Sequence, residues 1–381
     1  MYFSFTEALR QIYGTPQGAF PNVVLYLASM ARPSSDYLLN TILPNRNRSD
    51  YQARSGTMTI RTTMAGLVGM DTDYPEGGLV ESTAFNEQTA KLAIKSTLKE
   101  AQLRELQSYV QQLMLARNGQ FSTGDVTNQM AAEAINFLDK VVLQALMDAE
   151  EYLKGQALFT GAVDWTFGKT RLLVDYGIPA ANTPAQRTGN NAYGGSTSVF
   201  WADVRLHRRL QRTGIAAIIM HPETADVIQY NAANNIALVS DPMDMSQRIW
   251  RRTYASTGSF TQDANDTVQV LTYGLEGEVL DPANPGVPIR VPFCPRGVVA
   301  SFGRNQSSQY MVGQGSTPPA LVELGYGHMA PTIEGGGIAG RWAQLMTPEL
   351  EPWTLIGRGT CNFLPVVEDA NKIVQTTTEM P

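Results

Sequence analysis

The sequence has few of the residues that usually build catalytic and metal sites. Its 381 residues include two cysteines and three histidines, and His207, His221 and His328 stand in separate segments without paired spacing. Cys294 and Cys361 have neither metal-ligand spacing nor disulfide-framework density, so we expect small buried residues in a reducing cytoplasm. No serine-nucleophile elbow or Walker loop occurs, although a Ser-His-Asp triad could still assemble in space. From its motifs the sequence therefore predicts no catalytic residue, cofactor or metal, and we do not expect an enzyme.

Charged residues and long apolar runs are also scarce. The charged fraction is 17%, against about a quarter in an average soluble domain, which suggests that much of the polar surface meets protein. The net charge of −6 predicts weak, non-specific contact with DNA at most. The apolar runs are too short to cross a membrane, and the N-terminus does not resemble a signal peptide. We therefore expect a protein that folds in the cytoplasm, with no membrane partner.

Two segments near the N-terminus have too little apolar sequence to fold alone. Residues 1–54 contain only short helical fragments, around 6–11 and 37–43, between prolines. Strands are predicted over 51–70 and from about Val80, joined by a turn, and the alternation from Ala90 to Leu98 predicts a strand with one wet face. Together these strands make a long two-stranded excursion. Such a hairpin is marginally stable by itself and needs a partner.

The turn of this excursion contains acidic residues that allow a second interpretation. Asp71 and Asp73 form a D-x-D, the spacing that some sugar-transferring enzymes use to hold a divalent ion, and Glu76 lies close in sequence. Hard cations need several converging oxygens, and D-x-D is also a common turn sequence. We therefore expect an acidic turn that is solvated or faces a partner, and we keep a metal-dependent enzyme as an alternative.

The longest uninterrupted helical pattern follows. An amphipathic helix is predicted near 103–113, and a second, over 125–154, has Asp125 as N-cap and Gly155 as a C-terminal stop. Thirty residues would make a rod of about 45 Å. The predicted polar stripe is Glu133, Asn136, Lys140, Gln144 and Glu151. The predicted buried side is Met130, Ala134, Leu138, Val142, Ala145 and Ala149.

After this helix the pattern becomes α/β. Two short strands are expected about Gly168, then a helix over 201–212, a buried strand over 215–220 and a helix from Pro222 to about Tyr230. Strand signals return at 267–273 and 289–302. The last stretch mixes strand and loop, and we expect it to pair beside the long helix. The segment EGGGIAG fits G-x-G-x-x-G, but no βαβ context surrounds it, which favours a mobile glycine loop over a dinucleotide site.

The order of these elements resembles the major capsid protein of tailed bacteriophages, in its phage lambda-like branch. The resemblance lies in VGMDTDYPEGGLVESTAFNEQTAKLAIKSTLKEAQLREL, QMAAEAINFLDKVVLQALMDAEEYLKGQALFTG, LLVDYG and PWTLIGRGTCNFLPVVEDANKI. It implies an α+β Hong Kong 97-type capsid fold. The implied parts are an N-terminal arm (1–54), a β-hairpin E-loop (55–100), a P-domain (101–195) with its spine helix, an α/β A-domain (196–335) and closing P-domain strands (336–381).

The resemblance also implies partners. Copies of the chain would assemble as hexamers and pentamers of an icosahedral virion shell, built in the cytoplasm of a bacterial host. A portal and a decoration protein would join it, and because the chain starts almost directly with the arm, we expect a separate scaffolding protein. An encapsulin-type cellular shell, which shares the fold, is the alternative.

The candidate subunit-interface residues are charged or aromatic residues of the acidic turn, the alternating strand and two basic runs, RLHRRLQR and RIWRR. Basic side chains could touch phosphate, but in an acidic protein they complement acidic patches on a neighbouring copy. The set is Asp71, Asp73, Tyr74, Glu76, Lys91, Lys95, Arg205, Arg208, Arg209, Arg212, Arg251 and Arg252.

Overall fold

The computed structural model describes part of the chain and gives it a mixed α and β architecture. The described residues are 37–61, 79–101, 104, 108, 138–167, 170–211, 214–241, 243–244, 249–257, 267–280, 288–303, 323–346 and 354–380. The helices are α1 (Gln144–Phe159), α2 (Phe200–Leu210) and α3 (Pro222–Tyr230). The strands are β1 (Asn45–Asn47), β2 (Gln52–Arg61), β3 (Leu79–Gln88), β4 (Ala90–Leu98), β5 (Ala162–Phe167), β6 (Thr170–Asp175), β7 (Ile215–Met220), β8 (Ile236–Ser240), β9 (Met243–Asp244), β10 (Ile249–Ser256), β11 (Thr267–Thr272), β12 (Glu276–Leu280), β13 (Pro288–Pro292), β14 (Val298–Gly303), β15 (Gly325–Ala330), β16 (Trp342–Met346), β17 (Leu355–Val367) and β18 (Ile373–Thr377).

A five-stranded sheet forms around β17 and lies against α1. Strands β4, β15 and β16 pair antiparallel with β17, and β1 adds in parallel to β15. The helical segment comes close to the sheet at Gly359, where a Cβ atom would overlap Val142, just before α1, and would lie 3.1 Å from Leu146 of α1. The prediction that the last part of the chain pairs beside the long helix is confirmed. β18 continues from it into the other sheet, so this last segment contributes to both sheets.

The alternating segment Ala90–Leu98 is a strand, as predicted, but its partner is not the excursion. Lys91 and Lys95 are exposed and Leu92 is buried, which confirms the period of two. The strand pairs with β17, while the excursion is the hairpin of β2 and β3, paired from Gln52 opposite Gln88 to Arg61 opposite Leu79. Alternation reports which face is wet, but it does not identify the neighbouring strand. The acidic turn lies outside the described residues.

Helix α1 directly follows a π-helical turn, Leu138–Leu143. Its C-terminal end lies beyond the predicted one. Residues 125–137 lie outside the described part of the chain. The predicted stop at Gly155 is wrong, because the helix runs on to Phe159 and Gly161 follows it with a φ of 77°. Gly155 is required by packing, since a Cβ atom there would overlap the carbonyl oxygen of Phe293. The glycine therefore marks a close approach and not a helix end.

The start of the chain's described part is also better packed than predicted. Residues 37–43, expected as helix in an arm without its own core, form a 3-10 turn, Leu38–Thr41. Leu38, Leu39, Ile42 and Leu43 are all buried in the same hydrophobic cluster as α1. This segment therefore belongs to the core of the chain itself. The predicted helix around 6–11 lies outside the described residues.

A seven-stranded sheet forms the second layer. Its order is β18-β14-β7-β11-β10-β8, with β9 also pairing β10, and α2 and α3 supply buried residues to its core. The predicted strand at 215–220 and the helix from Pro222 are confirmed, as are the strands about Gly168. The predicted strand over 289–302 is two strands, because a turn containing Pro295 and Gly297, with a φ of 74°, interrupts it. The domain bounds themselves stay a prediction.

Candidate subunit interface

The structure describes seven of the twelve predicted interface residues. Asp71, Asp73, Tyr74, Glu76 and Arg212 lie outside the described residues. The other seven are on β4 of the five-stranded sheet, on β10 of the seven-stranded sheet and on helix α2. The prediction therefore concerns several separate surfaces and not one compact site.

The lysines of β4 stand on its wet face. Lys91 forms an ion pair with Glu334, in the loop between β15 and β16, and the hydrogen bond from Lys91 lowers the pKa of that carboxyl group. Lys95 is exposed. Both side chains are accessible to a partner, and their interface role stays a prediction.

Helix α2 separates its buried and basic faces. Phe200, Asp203 and His207 are buried, whereas Arg205 and Arg209, one helical turn apart, are exposed. Arg208 is half-buried and donates a hydrogen bond of 2.6 Å to the carbonyl oxygen of Thr267. The helix is held by its buried face, which leaves Arg205 and Arg209 at the exposed surface, and their interface role stays a prediction.

The two arginines of β10 differ in their surroundings. Successive residues of a strand point to opposite faces. Arg252 donates to Asp226 at 2.6 Å and lies 3.5 Å from Asp241, with its side chain 12% exposed. Its partners are therefore within its own chain. Arg251 is half-buried, and its interface role stays a prediction.

A buried polar cluster on α1 is the strongest electrostatic feature that sequence reasoning missed. Arg341 donates two hydrogen bonds of 2.6 Å to the two carboxylate oxygens of Glu150, which is 2% exposed. Asn45 donates to the same carboxylate at 2.8 Å, and the thiol of Cys361 lies 3.7 Å from it. A bidentate guanidinium and an amide together satisfy a charge that would otherwise be costly to bury.

Two further charged residues of α1, Glu151 and Lys154, are also buried. The backbone N–H of Leu39 and the hydroxyl of Tyr273 donate to Glu151 at 2.9 and 2.7 Å. Burial raises the pKa of Glu151 despite the nearby charge of Lys154. Burial also lowers the pKa of Lys154 to about 8, and its ammonium group donates to Asn40. The expected place of Glu151 on a polar, wet stripe is therefore wrong, because this face of the helix is covered by residues 37–45.

The two cysteines and the three histidines contact residues of their own chain. Cys294 and Cys361 are buried, as predicted. His207 contacts the hydroxyl of Thr376 at 2.7 Å, and burial lowers its pKa to about 4. His221 caps α3, and His328 contacts the carbonyl oxygen of Asp50 at 2.8 Å. Each histidine thus contacts different neighbours, in agreement with the structural roles expected for them.

Metal-binding clusters and membrane-spanning helices are both absent from the part of the chain that the structure describes. No group of histidine, cysteine, aspartate or glutamate side chains there is arranged to hold a metal ion. Among the same residues, no helix is both long and apolar enough to span a membrane.

Solved structures resemble this chain in fold. No protein-family profile and no curated protein matches it. The fold is similar to a prophage capsid protein (E. coli CFT073), with 11% identity, a TM-score of 0.57 and coverage of 93% of this chain and 97% of that one. A phage-related protein from Bordetella bronchiseptica RB50 has 11% identity, a TM-score of 0.47 and coverage of 93% and 95%. The SrpI encapsulin from Synechococcus elongatus PCC 7942 has 8% identity, a TM-score of 0.38 and coverage of 93% and 94%. The likeness to the prophage protein, over nearly the whole of both chains, confirms that this chain has the α+β capsid fold of the Hong Kong 97 type.

Proposed function

We propose that this chain is the major capsid protein of a tailed double-stranded DNA phage. Its copies form the hexamers and pentamers of an icosahedral shell that encloses the genome. The observation that carries the proposal is the fold similarity to a prophage capsid protein, which extends over 97% of that protein. In this function the chain performs no catalytic step, and its surfaces act by contact.

The hairpin of β2 and β3 supports this proposal. It forms a two-stranded sheet separate from the two larger sheets. Two strands alone bury too little surface to be stable in water, so a hairpin of this length gains from lying on another copy. The proposed role of the acidic turn, including Asp71, Asp73, Tyr74 and Glu76, is therefore contact with the next subunit.

Charge supports the same function. Arg205 and Arg209 face outward on α2 in a chain whose net charge is −6, so they suit an acidic patch on a neighbouring copy. An acidic protein lining a shell would also hold DNA weakly and leave it free to be packaged and released. The proposed location is the virion, after assembly in the host cytoplasm. Scaffolding, portal and decoration proteins are the proposed partners.

Assembly of the full chain tests this function. The chain is expressed with and without a candidate scaffolding protein and is studied by sedimentation velocity and negative-stain electron microscopy. We expect closed shells of uniform size. A chain that stays monomeric and folded in both conditions contradicts the proposal, and a shell that encloses a cargo enzyme in its native host would reassign it to the encapsulin class.

A further inference from the structure

The glycine-rich motif lies in a loop that exposes two large apolar side chains. This glycine loop, residues 332–340, connects β15 to β16. Ile333 is 88% exposed and Ile338 is 75% exposed. A single exposed apolar side chain needs no explanation, but two in one short loop make an apolar projection of the kind found at protein contacts.

The backbone of the glycine loop is held by its own hydrogen bonds. The N–H of Gly337 donates to the carbonyl oxygen of Thr332 at 3.0 Å, and the N–H of Gly336 donates to that of Ile333 at 3.1 Å. The N–H of Ile338 donates back into the loop at 3.3 Å, and a β-bridge closes its base. A partner that binds the isoleucines would therefore lose little free energy to ordering of the loop backbone.

Both sides of the loop are also tied to other elements. Glu334 pairs with Lys91 on β4, and Arg341, directly after the loop, makes its double hydrogen bond to Glu150 on α1. Gly336 and Gly337 have φ angles of 67° and 80°, and a Cβ atom on either would meet nothing within 4 Å. These glycines are therefore required by the backbone shape of an outward projection, and not by packing.

We infer that the glycine loop is a preformed apolar contact that a second copy of this chain covers. The inference rests on the proposed function and names one contact within the shell. The charged residue of the loop, Glu334, is paired with Lys91, and from Gly335 to Gly340 the loop carries no charge, whereas the chain as a whole carries −6. Like-charged copies repel, so an apolar projection whose one charge is already paired is a place where two of them can touch. The same net charge disfavours an anionic membrane as the occupant.

A thiol placed in the loop measures whether it becomes covered. The native cysteines, Cys294 and Cys361, are both buried, so an Ile338→Cys variant of the full chain presents a single accessible thiol. Its labelling by a maleimide is timed in the dissociated chain and in the assembled shell. We expect labelling to slow by at least about tenfold in the shell, because a group sealed in a contact reacts only when the contact opens.

The controls make the result decisive. Leu173→Cys, at a side chain that is 59% exposed on the β5–β6 hairpin, reports how far the shell itself limits the reagent. If Ile338→Cys is labelled at the same rate in the dissociated chain and in the shell, the contact is contradicted. It is also contradicted if labelling of Leu173→Cys slows by the same factor as labelling of Ile338→Cys. Binding of the dissociated chain to lipid vesicles through the loop would replace the second copy by a membrane. A parent chain that never assembles contradicts the proposed function, and this contact with it.

Discussion

Helix α1 and the glycine loop reverse the usual distribution of polarity, although Arg341, the residue directly after the loop, pairs with Glu150 of the helix. Helix α1 takes Glu150, Glu151 and Lys154 into the interior, each 2% exposed or less, while the loop leaves Ile333 and Ile338 in solvent. Charges are buried only when their partners are buried with them. On α1 those partners come from the same chain.

The difference teaches that residue type alone does not show whether a surface has its partners within the same chain or needs another copy. The carboxylates of α1 are satisfied by groups of the same chain, from the 37–45 segment, Arg341 and Tyr273. The isoleucines of the loop stand on a backbone that is held by its own hydrogen bonds, and their side chains are exposed to solvent. The first region stabilises the subunit, and the second is proposed to act only between subunits.

The largest expected effect breaks the buried side of this comparison. Glu150→Ala leaves the partly buried guanidinium of Arg341 without its double hydrogen bond, and removing one member of a buried ion pair costs up to about 3 to 5 kcal/mol. We expect a loss of this size in the free energy of unfolding, measured with urea. Asp164→Ala, which removes an exposed pair with Arg171, is the control and should change little. Equal effects of the two substitutions would contradict the importance of burial.

The pH dependence of stability sharpens the same side. The pKa of Lys154 falls from 10.5 to about 8 on folding, so the unfolded chain binds more protons between these values and the contribution of Lys154 to stability rises with pH. Relative to Lys154→Met, the parent should gain about 2 to 3 kcal/mol between pH 8 and pH 10.5. Urea unfolding across this range measures the difference. Parallel pH profiles of the two proteins would contradict a buried, shifted lysine.

A smaller effect is expected from the backbone of the glycine loop. Gly337→Ala places a side chain on a residue with a φ of 80°, where no neighbour lies within 4 Å, so only backbone strain of about 1 kcal/mol is added. Gly337→Asn is the matched control, because asparagine tolerates the left-handed region better. Thermal unfolding should rank the parent first, then the asparagine variant, then the alanine variant. An alanine variant as stable as the parent would show that the loop does not need this conformation.

The smallest effect on stability belongs to the exposed side. Ile333→Ser removes an apolar side chain that is already in solvent, so the free energy of unfolding should change by less than about 0.5 kcal/mol. Shell yield, measured by sedimentation, should fall in the same variant. A variant that unfolds more easily than the parent would place Ile333 in the core of its own chain.

Periodicity predicted much of the fold, since β4, β7, α3 and the α/β layer occur where the sequence indicated. It failed where tertiary contacts decide. Gly155 has the identity of a helix stop, but its role is set by the carbonyl group of Phe293, which is distant in sequence. Glu151 reads as a solvent-facing residue until the segment at 37–45 covers it. Exposure of Ile333 and Ile338 is invisible in the sequence, because apolar residues are normally assigned to a core.

A cryo-electron microscopy map of the assembled shell tests the account most directly, because it shows both regions at once. The account predicts that the Glu150–Arg341 hydrogen bonds stay within each subunit, while Ile333 and Ile338 lie against a neighbouring copy. A map in which the glycine loop faces solvent in every subunit, or in which Arg341 pairs with a carboxylate of another copy, would contradict it.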